Sequence, residues 1–170
     1  MRLIIRPETP ADHDAIRQVN SLAFGQDAEA RLVDALRDGG YVRASLVAVK
    51  DQQVVGHVLF SELPIVTEAG TVLALALAPM AVLPELQNRG IGSALVRRGL
   101  EVCKEQGLQI VVVLGHPHFY QRFGFSSKLA AQLESPYSGR ESFMAAELFP
   151  GALGGVTGRV LYPSPFEAWS

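Results

Sequence analysis

Gln87-Asn88-Arg89-Gly90-Ile91-Gly92 carries the clearest chemical signal in this chain. It follows an apolar run, Val72 to Leu83, and precedes a stretch of helical periodicity. Two glycines spaced one apart at the mouth of a helix let backbone come close to a ligand. The first helical turn presents N–H groups that have no intrahelical partner, at the positive end of the helix dipole. Such a turn holds an anion, and a phosphate or pyrophosphate is the usual one. A Walker loop would need Gly-x-x-x-x-Gly-Lys-Ser/Thr, which the sequence lacks. A dinucleotide fingerprint would need a third glycine or alanine where Leu95 stands. An ordinary helix start with a tight turn fits the same residues.

A second cluster follows at Gly115-His116-Pro117-His118-Phe119-Tyr120-Gln121-Arg122-Phe123-Gly124-Phe125. Tyr120 carries a proton that it can donate, and it also fits a core position among Phe119, Phe123 and Phe125. His116 and His118 flank a proline. No third metal ligand lies close to them in sequence, so no metal is expected. Cys103, the one cysteine, falls on the inward side of a helical pattern and reads as a small buried apolar residue.

These residues need a scaffold. Leu3-Ile4-Ile5 reads as a short strand. Thr9-Pro10 opens a helix, with Ile16, Val19, Leu22 and Ala23 at helical spacing and Phe24-Gly25 as its end. A second helix spans about 27–37. Leu46–Val49 and Val54–Phe60 read as a hairpin, with Val72–Leu83 as the third strand of the meander. Glu62 then stands at the end of its strand. Pro79 falls inside the third run, where it cannot donate to a ladder and belongs at an edge or a bulge. A helix over about 91–106 turns Ile91, Leu95, Val102 and Cys103 to one side. The strand Gln109–Leu114 completes strand–helix–strand, which implies a parallel crossover. A short helix is expected at Pro117–Phe123, and closing strands at Phe143–Leu148 and Val156–Tyr162.

The 170 residues suffice for one domain with a sizeable core, so 1–170 is read as a single domain. Hydrophobic residues make up 48% and charged residues 19%, which fits a globular chain. A net charge of −2 argues against a nucleic-acid or membrane-surface binder. The N-terminal MRLIIRPETP lacks the apolar core of a secretory signal, and the longest apolar run is too short to span a bilayer as a helix. With one cysteine, a cytoplasmic setting is expected.

Val82-Leu83-Pro84-Glu85-Leu86-Gln87-Asn88-Arg89-Gly90-Ile91-Gly92 resembles the acetyl-CoA loop of the GCN5-related N-acetyltransferase (GNAT) superfamily. Phe119-Tyr120-Gln121-Arg122-Phe123-Gly124-Phe125 is similar to a second signature of that superfamily. Leu114-Gly115-His116-Pro117 beside it resembles the bacterial YhbS-like branch of predicted N-acetyltransferases. The likeness covers about 54–125. It implies a mixed α/β (α+β) fold, mostly antiparallel, with strands four and five parallel and splayed and with helices on both faces.

The resemblance also implies acetyl transfer from acetyl-CoA to a primary amine, with CoA as product. The backbone of Met80, Ala81 and Val82 would pair with the pantetheine and offer an oxyanion donor. The amides of Gln87, Asn88, Arg89, Gly90, Ile91, Gly92 and Ser93 would hold the pyrophosphate. The Arg89 side chain would reach the phosphates or stay solvated. The hydroxyl of Tyr120 would protonate the leaving thiolate. An ordinary phenol pKa of about 10 stands near the thiol's of about 8.5. Glu62 and His116 are the candidate bases, and His116 could instead orient the pantetheine or cap the next helix. The acceptor stays open between a small amine, an amino acid and a protein amine. The charge disfavours an RNA-linked one. Dimers are common in the superfamily. An acyl-CoA-binding or regulatory module of the same fold is the main alternative, and a nucleotide-binding redox protein a more distant one.

Overall fold

The computed structural model describes residues 2–167. Its strands are β1 (Leu3–Pro7), β2 (Val42–Lys50), β3 (Gln53–Thr67), β4 (Gly70–Val82), β5 (Ile110–Leu114), β6 (Leu133–Glu134), β7 (Phe143–Glu147) and β8 (Gly158–Val160). The α-helices are α1 (His13–Phe24), α2 (Ala28–Asp38), α3 (Ile91–Glu105) and the single turn α4 (Pro117–Tyr120). The strands form one mixed sheet in the order β1-β2-β3-β4-β5-β7, with β8 beside β3 and β6 beside β8. β4 and β5 run parallel, joined by α3, as the strand–helix–strand pattern implied. β1 to β4 pair antiparallel in succession, and β7 closes the far edge antiparallel to β5.

Two apolar layers cover the sheet. One is built on α3, whose Ile91, Leu95, Val96 and Cys103 meet Leu46, Val58, Phe60 and Leu75. The other is built on α2, whose Leu32, Val33 and Leu36 meet Val47, Leu59, Leu63 and Ile65. From Val58 to Ile65 the even and odd residues of β3 thus serve opposite faces, as pleating requires. Val102 lies at the margin of α3, half-buried, and Val96 takes the inward place expected of it.

Three expectations from the sequence shift. α1 begins later than Thr9-Pro10 suggested, because Pro10–Asp12 forms a 3-10 turn. There the Asp12 carboxylate accepts the Thr9 N–H at 2.7 Å and is held by Arg6 at 2.7 and 3.0 Å. β3 does not stop at Phe60. Leu63 and Ile65 continue the buried alternation, and pairing with β4 runs on to Thr67 opposite Gly70. Ser61 and Glu62 hide that continuation in the sequence. The last stretch gives β8 as only three residues, and β6 was not foreseen. No helix of the described residues is long and apolar enough to cross a membrane.

Gly99 shows how closely α3 lies on the sheet. A Cβ there would collide with the ring of the fully buried Phe60. Gly99→Ala should therefore push α3 off β3 and destabilise the protein by about 1–3 kcal/mol despite alanine's better helix propensity. Urea unfolding checks this, and a gain in stability would refute the close approach.

Candidate active site

β4 and β5 pair only at Leu75 with Val111 and Ala76 with Val112. Beyond Ala76, β4 continues to Val82 with no β5 partner. The cause is local. Val58 pairs with Met80 and Phe60 with Leu77, so Ala78 and Pro79 together oppose Leu59. This is a bulge at the one residue of the run that has no N–H to give. The Ala78–Pro79 peptide is cis. The two strands diverge, and a cavity of about 730 Å³ opens between them.

Its floor is Leu77 to Val82 of β4, with Leu114 and Gly115 from the end of β5. One wall is the glycine turn. Gln87 leaves the 3-10 turn Pro84–Leu86, and its side-chain amide donates to the Val82 carbonyl at 3.0 Å, tying the turn to β4. Asn88 and Gly90 both take left-handed backbone, with φ of 64° and 85°. That double reversal turns the chain into α3, whose first backbone bond runs from the Ala94 N–H to the Gly90 carbonyl at 3.0 Å. The N–H groups of Ile91, Gly92 and Ser93 precede it, so they are the donors a helix start leaves for an anion. At Gly92 a Cβ would stand 3.2 Å from Met80 Cε and 3.5 Å from the Phe119 ring, so a larger residue would fill the gap.

Tyr120 also lines the cavity. Its ring packs edge-on to Phe119 at 4.9 Å and to Phe125 at 5.7 Å. Gly115 leaves room for that ring, since a Cβ there would stand 2.5 Å from it. Burial pushes the Tyr120 phenol up to about 12. It stays protonated at neutral pH, but it is a weaker acid than the free phenol considered from the sequence. Arg122 lies over Phe119 and Phe123, at 4.9 and 5.6 Å from their centroids.

Met80, Ala81, Val82, Gln87, Asn88, Gly90, Gly92, Ser93, His116 and Tyr120 all line the cavity. Two residues of the expected loop do not. Ile91 is buried in the α3-side core, and the Arg89 side chain is exposed. Glu62 is not brought to the cavity either. It sits within β3 rather than at its end, paired with Arg43 of β2 at 2.8 Å. Among the described residues no group of three His, Cys, Asp or Glu side chains could hold a metal ion.

Sequence reasoning missed Ala23 and Phe24 at the end of α1, which line the cavity. The available signal was an aromatic closing a helix whose buried face was already supplied. It also passed over His57, which is fully buried on β3 and opposite Ala81 of β4 in register. His57 Nδ1 accepts from the Asn20 amide at 3.2 Å, and Nε2 meets the Ser45 hydroxyl at 3.0 Å. The Ser45 hydroxyl donates to Glu8, which is paired with Arg37 at 3.0 Å. Burial lowers the His57 imidazole to about 4, so it is neutral and its bonds brace α1 against β2.

Comparison with known proteins agrees with this geometry. Residues 4–127 match a family described as the acetyltransferase (GNAT) domain. The chain is 38% identical over 167 residues to the uncharacterized N-acetyltransferase YhbS of Escherichia coli strain K12, covering 97% of this chain and 99% of that one. A crystal structure of Escherichia coli YhbS in complex with CoA superposes with a TM-score of 0.90 at 37% identity, covering 98% of this chain and 93% of that one. A GNAT family acetyltransferase from Brucella melitensis in complex with acetyl-CoA has a TM-score of 0.80 at 34% identity, covering 97% and 98%.

The buried phenol makes a prediction independent of any ligand. Unfolded chain ionises tyrosine near its ordinary value of about 10, whereas native Tyr120 resists until about 12. Its contribution to stability is complete below the unfolded value and lost as pH rises through the folded one. In alkaline titration followed by phenolate absorbance, native wild type and Tyr120→Phe should give the same curve until the pH nears that upper value. A curve already one tyrosine short near pH 10 would refute the burial argument.

Proposed function

The chain belongs to the GNAT acetyltransferase family, and on that premise we propose that it transfers an acetyl group from acetyl-CoA to a primary amine by direct attack in a ternary complex. The observation that carries this reading is the splay of β4 from β5, with the glycine turn and Tyr120 both lining the opening. Backbone groups of Met80, Ala81 and Val82 are assigned to the pantetheine amides, in the manner of an added strand. The amides of Gln87 through Ser93 are assigned to the pyrophosphate, with the helix dipole behind them. The Arg89 side chain is left to solvent.

The amine nitrogen attacks the thioester carbonyl carbon, the carbon–sulfur bond breaks, and CoA leaves as a thiol. A backbone N–H near Met80 to Val82 faces the developing oxyanion. Tyr120 is the donor to the leaving sulfur. Its phenol, raised to about 12, stands above a thiol of about 8.5. Full transfer alone would be uphill, so it is coupled to the amine's loss of its proton, and that proton, passed on by His116 or water, re-forms the phenol. His116 lines the cavity and takes that proton directly or through water. Glu62, held by Arg43 away from the cavity, has no part in this assignment. The buried Cys103 thiol, pushed up to about 12, is kept out of the chemistry.

One observation favours an acyl-CoA-binding module without efficient catalysis. No carboxylate is among the described residues lining the cavity. Turnover separates the two readings. Acetyl-CoA at about 100 times its Kd should stabilise the protein by roughly 2.7 kcal/mol in a thermal shift, and Gly92→Glu should abolish this by filling the turn with a carboxylate. Tyr120→Phe should lower kcat by roughly 10²-fold or more with acetyl-CoA affinity intact. Binding with no turnover on any amine would leave the module reading. No binding at all would end both.

A further inference from the structure

We infer, resting on the transferase reading above, that the acceptor is a primary amine on a compact apolar body and not a polycation. Beside the glycine turn, the cavity is lined by Ala23, Phe24, Ala78, Pro79 and Leu114. Ala78 and Leu114 pack against the α2-side core and Ala23 against the α3-side core, so these surfaces come from both layers where the sheet splits. All five side chains are apolar. Among the described lining residues none is Asp or Glu, and the ionisable ones are His116, Tyr120 and Arg122. Phe24, the last residue of α1, lines the cavity while leaving 41% of its surface exposed, and Leu22 in the same turn is 52% exposed.

An apolar substituent on the acceptor gains by covering these surfaces. A second ammonium group finds no anionic partner among the described lining residues. Desolvating an unpaired charge is unfavourable, so a polyamine or a lysine-rich peptide is disfavoured by the same wall that favours an apolar amine. Phe24 is then a specificity residue at the mouth of the site.

The test compares acetyl transfer to 2-phenylethylamine and to spermidine, with acetyl-CoA binding measured by calorimetry on the same preparations. 2-Phenylethylamine should exceed spermidine in kcat/KM by roughly tenfold or more. Phe24→Ala should lower its kcat/KM through KM, and Phe24→Asp should shift preference toward spermidine, with the acetyl-CoA Kd unchanged in both. Binding of acetyl-CoA together with faster transfer to spermidine, or with transfer to neither amine, overturns the inference alone. Failure to bind acetyl-CoA overturns the transferase reading and this inference with it. Unaltered amine preference in Phe24→Asp likewise overturns the role given to that side chain.

Discussion

The structure turns on a missing hydrogen-bond donor. Pro79 lies in an apolar strand that would otherwise pair along its whole length, and it has no N–H to place in the ladder. The sheet absorbs this as a bulge, with Ala78 and Pro79 set against Leu59. β4 leaves the bulge on a line that β5 does not follow, and parallel pairing ends at Ala76 and Val112. Backbone groups that a closed sheet would consume are left at the edge of a cleft. Everything assigned to the donor molecule depends on that divergence.

A cleft through the middle of a sheet needs rigid flanks. On one side α3 is drawn onto β3 by Gly99, so Phe60 can occupy the space a side chain would take. The start of α3 is then fixed relative to Met80, and the glycine turn is fixed with it. On the other side the buried chain Asn20–His57–Ser45–Glu8–Arg37 ties α1, β3, β2 and α2 together. A neutral imidazole suits this place, because one nitrogen accepts from Asn20 while the other donates toward Ser45. The hydrogen bonds of this network join four elements, although the buried Asn20 Oδ1 has no hydrogen-bond partner among the described residues. The end of α1, where Ala23 and Phe24 form a wall of the cavity, rests on it.

Within the cleft, chemistry and packing are hard to separate. Tyr120 is a core aromatic by its contacts and the proton donor assigned in the proposed reaction. Burial serves both roles, since the environment that packs the ring also keeps the phenol neutral. It also makes the phenol a poor acid taken alone. The proposed reaction therefore rests on placement and on coupling of two proton movements more than on the acidity of any one group.

The sequence by itself determined the local features. Gln87 to Gly92 announced a tight turn into a helix, Pro79 announced a break in its strand, and Gly124 announced the end of the short helix before Phe125. These depend on backbone freedom and on donors present or absent, which are properties of single residues and their neighbours. The order from β2 to β5 was legible for the same reason, since hairpins and one crossover join neighbours in the chain. Tertiary structure alone decided what meets across the sheet. Glu62 looked near the site, but β3 runs on to Thr67 and Arg43 on the next strand claims it. His57 looked like one polar residue in an apolar strand, yet Asn20 and Ser45 arrive from distant segments to satisfy it. Phe24 looked like a helix end and became a wall of the cavity. Such pairings arise from packing between segments far apart in sequence, and no periodicity along the chain records them.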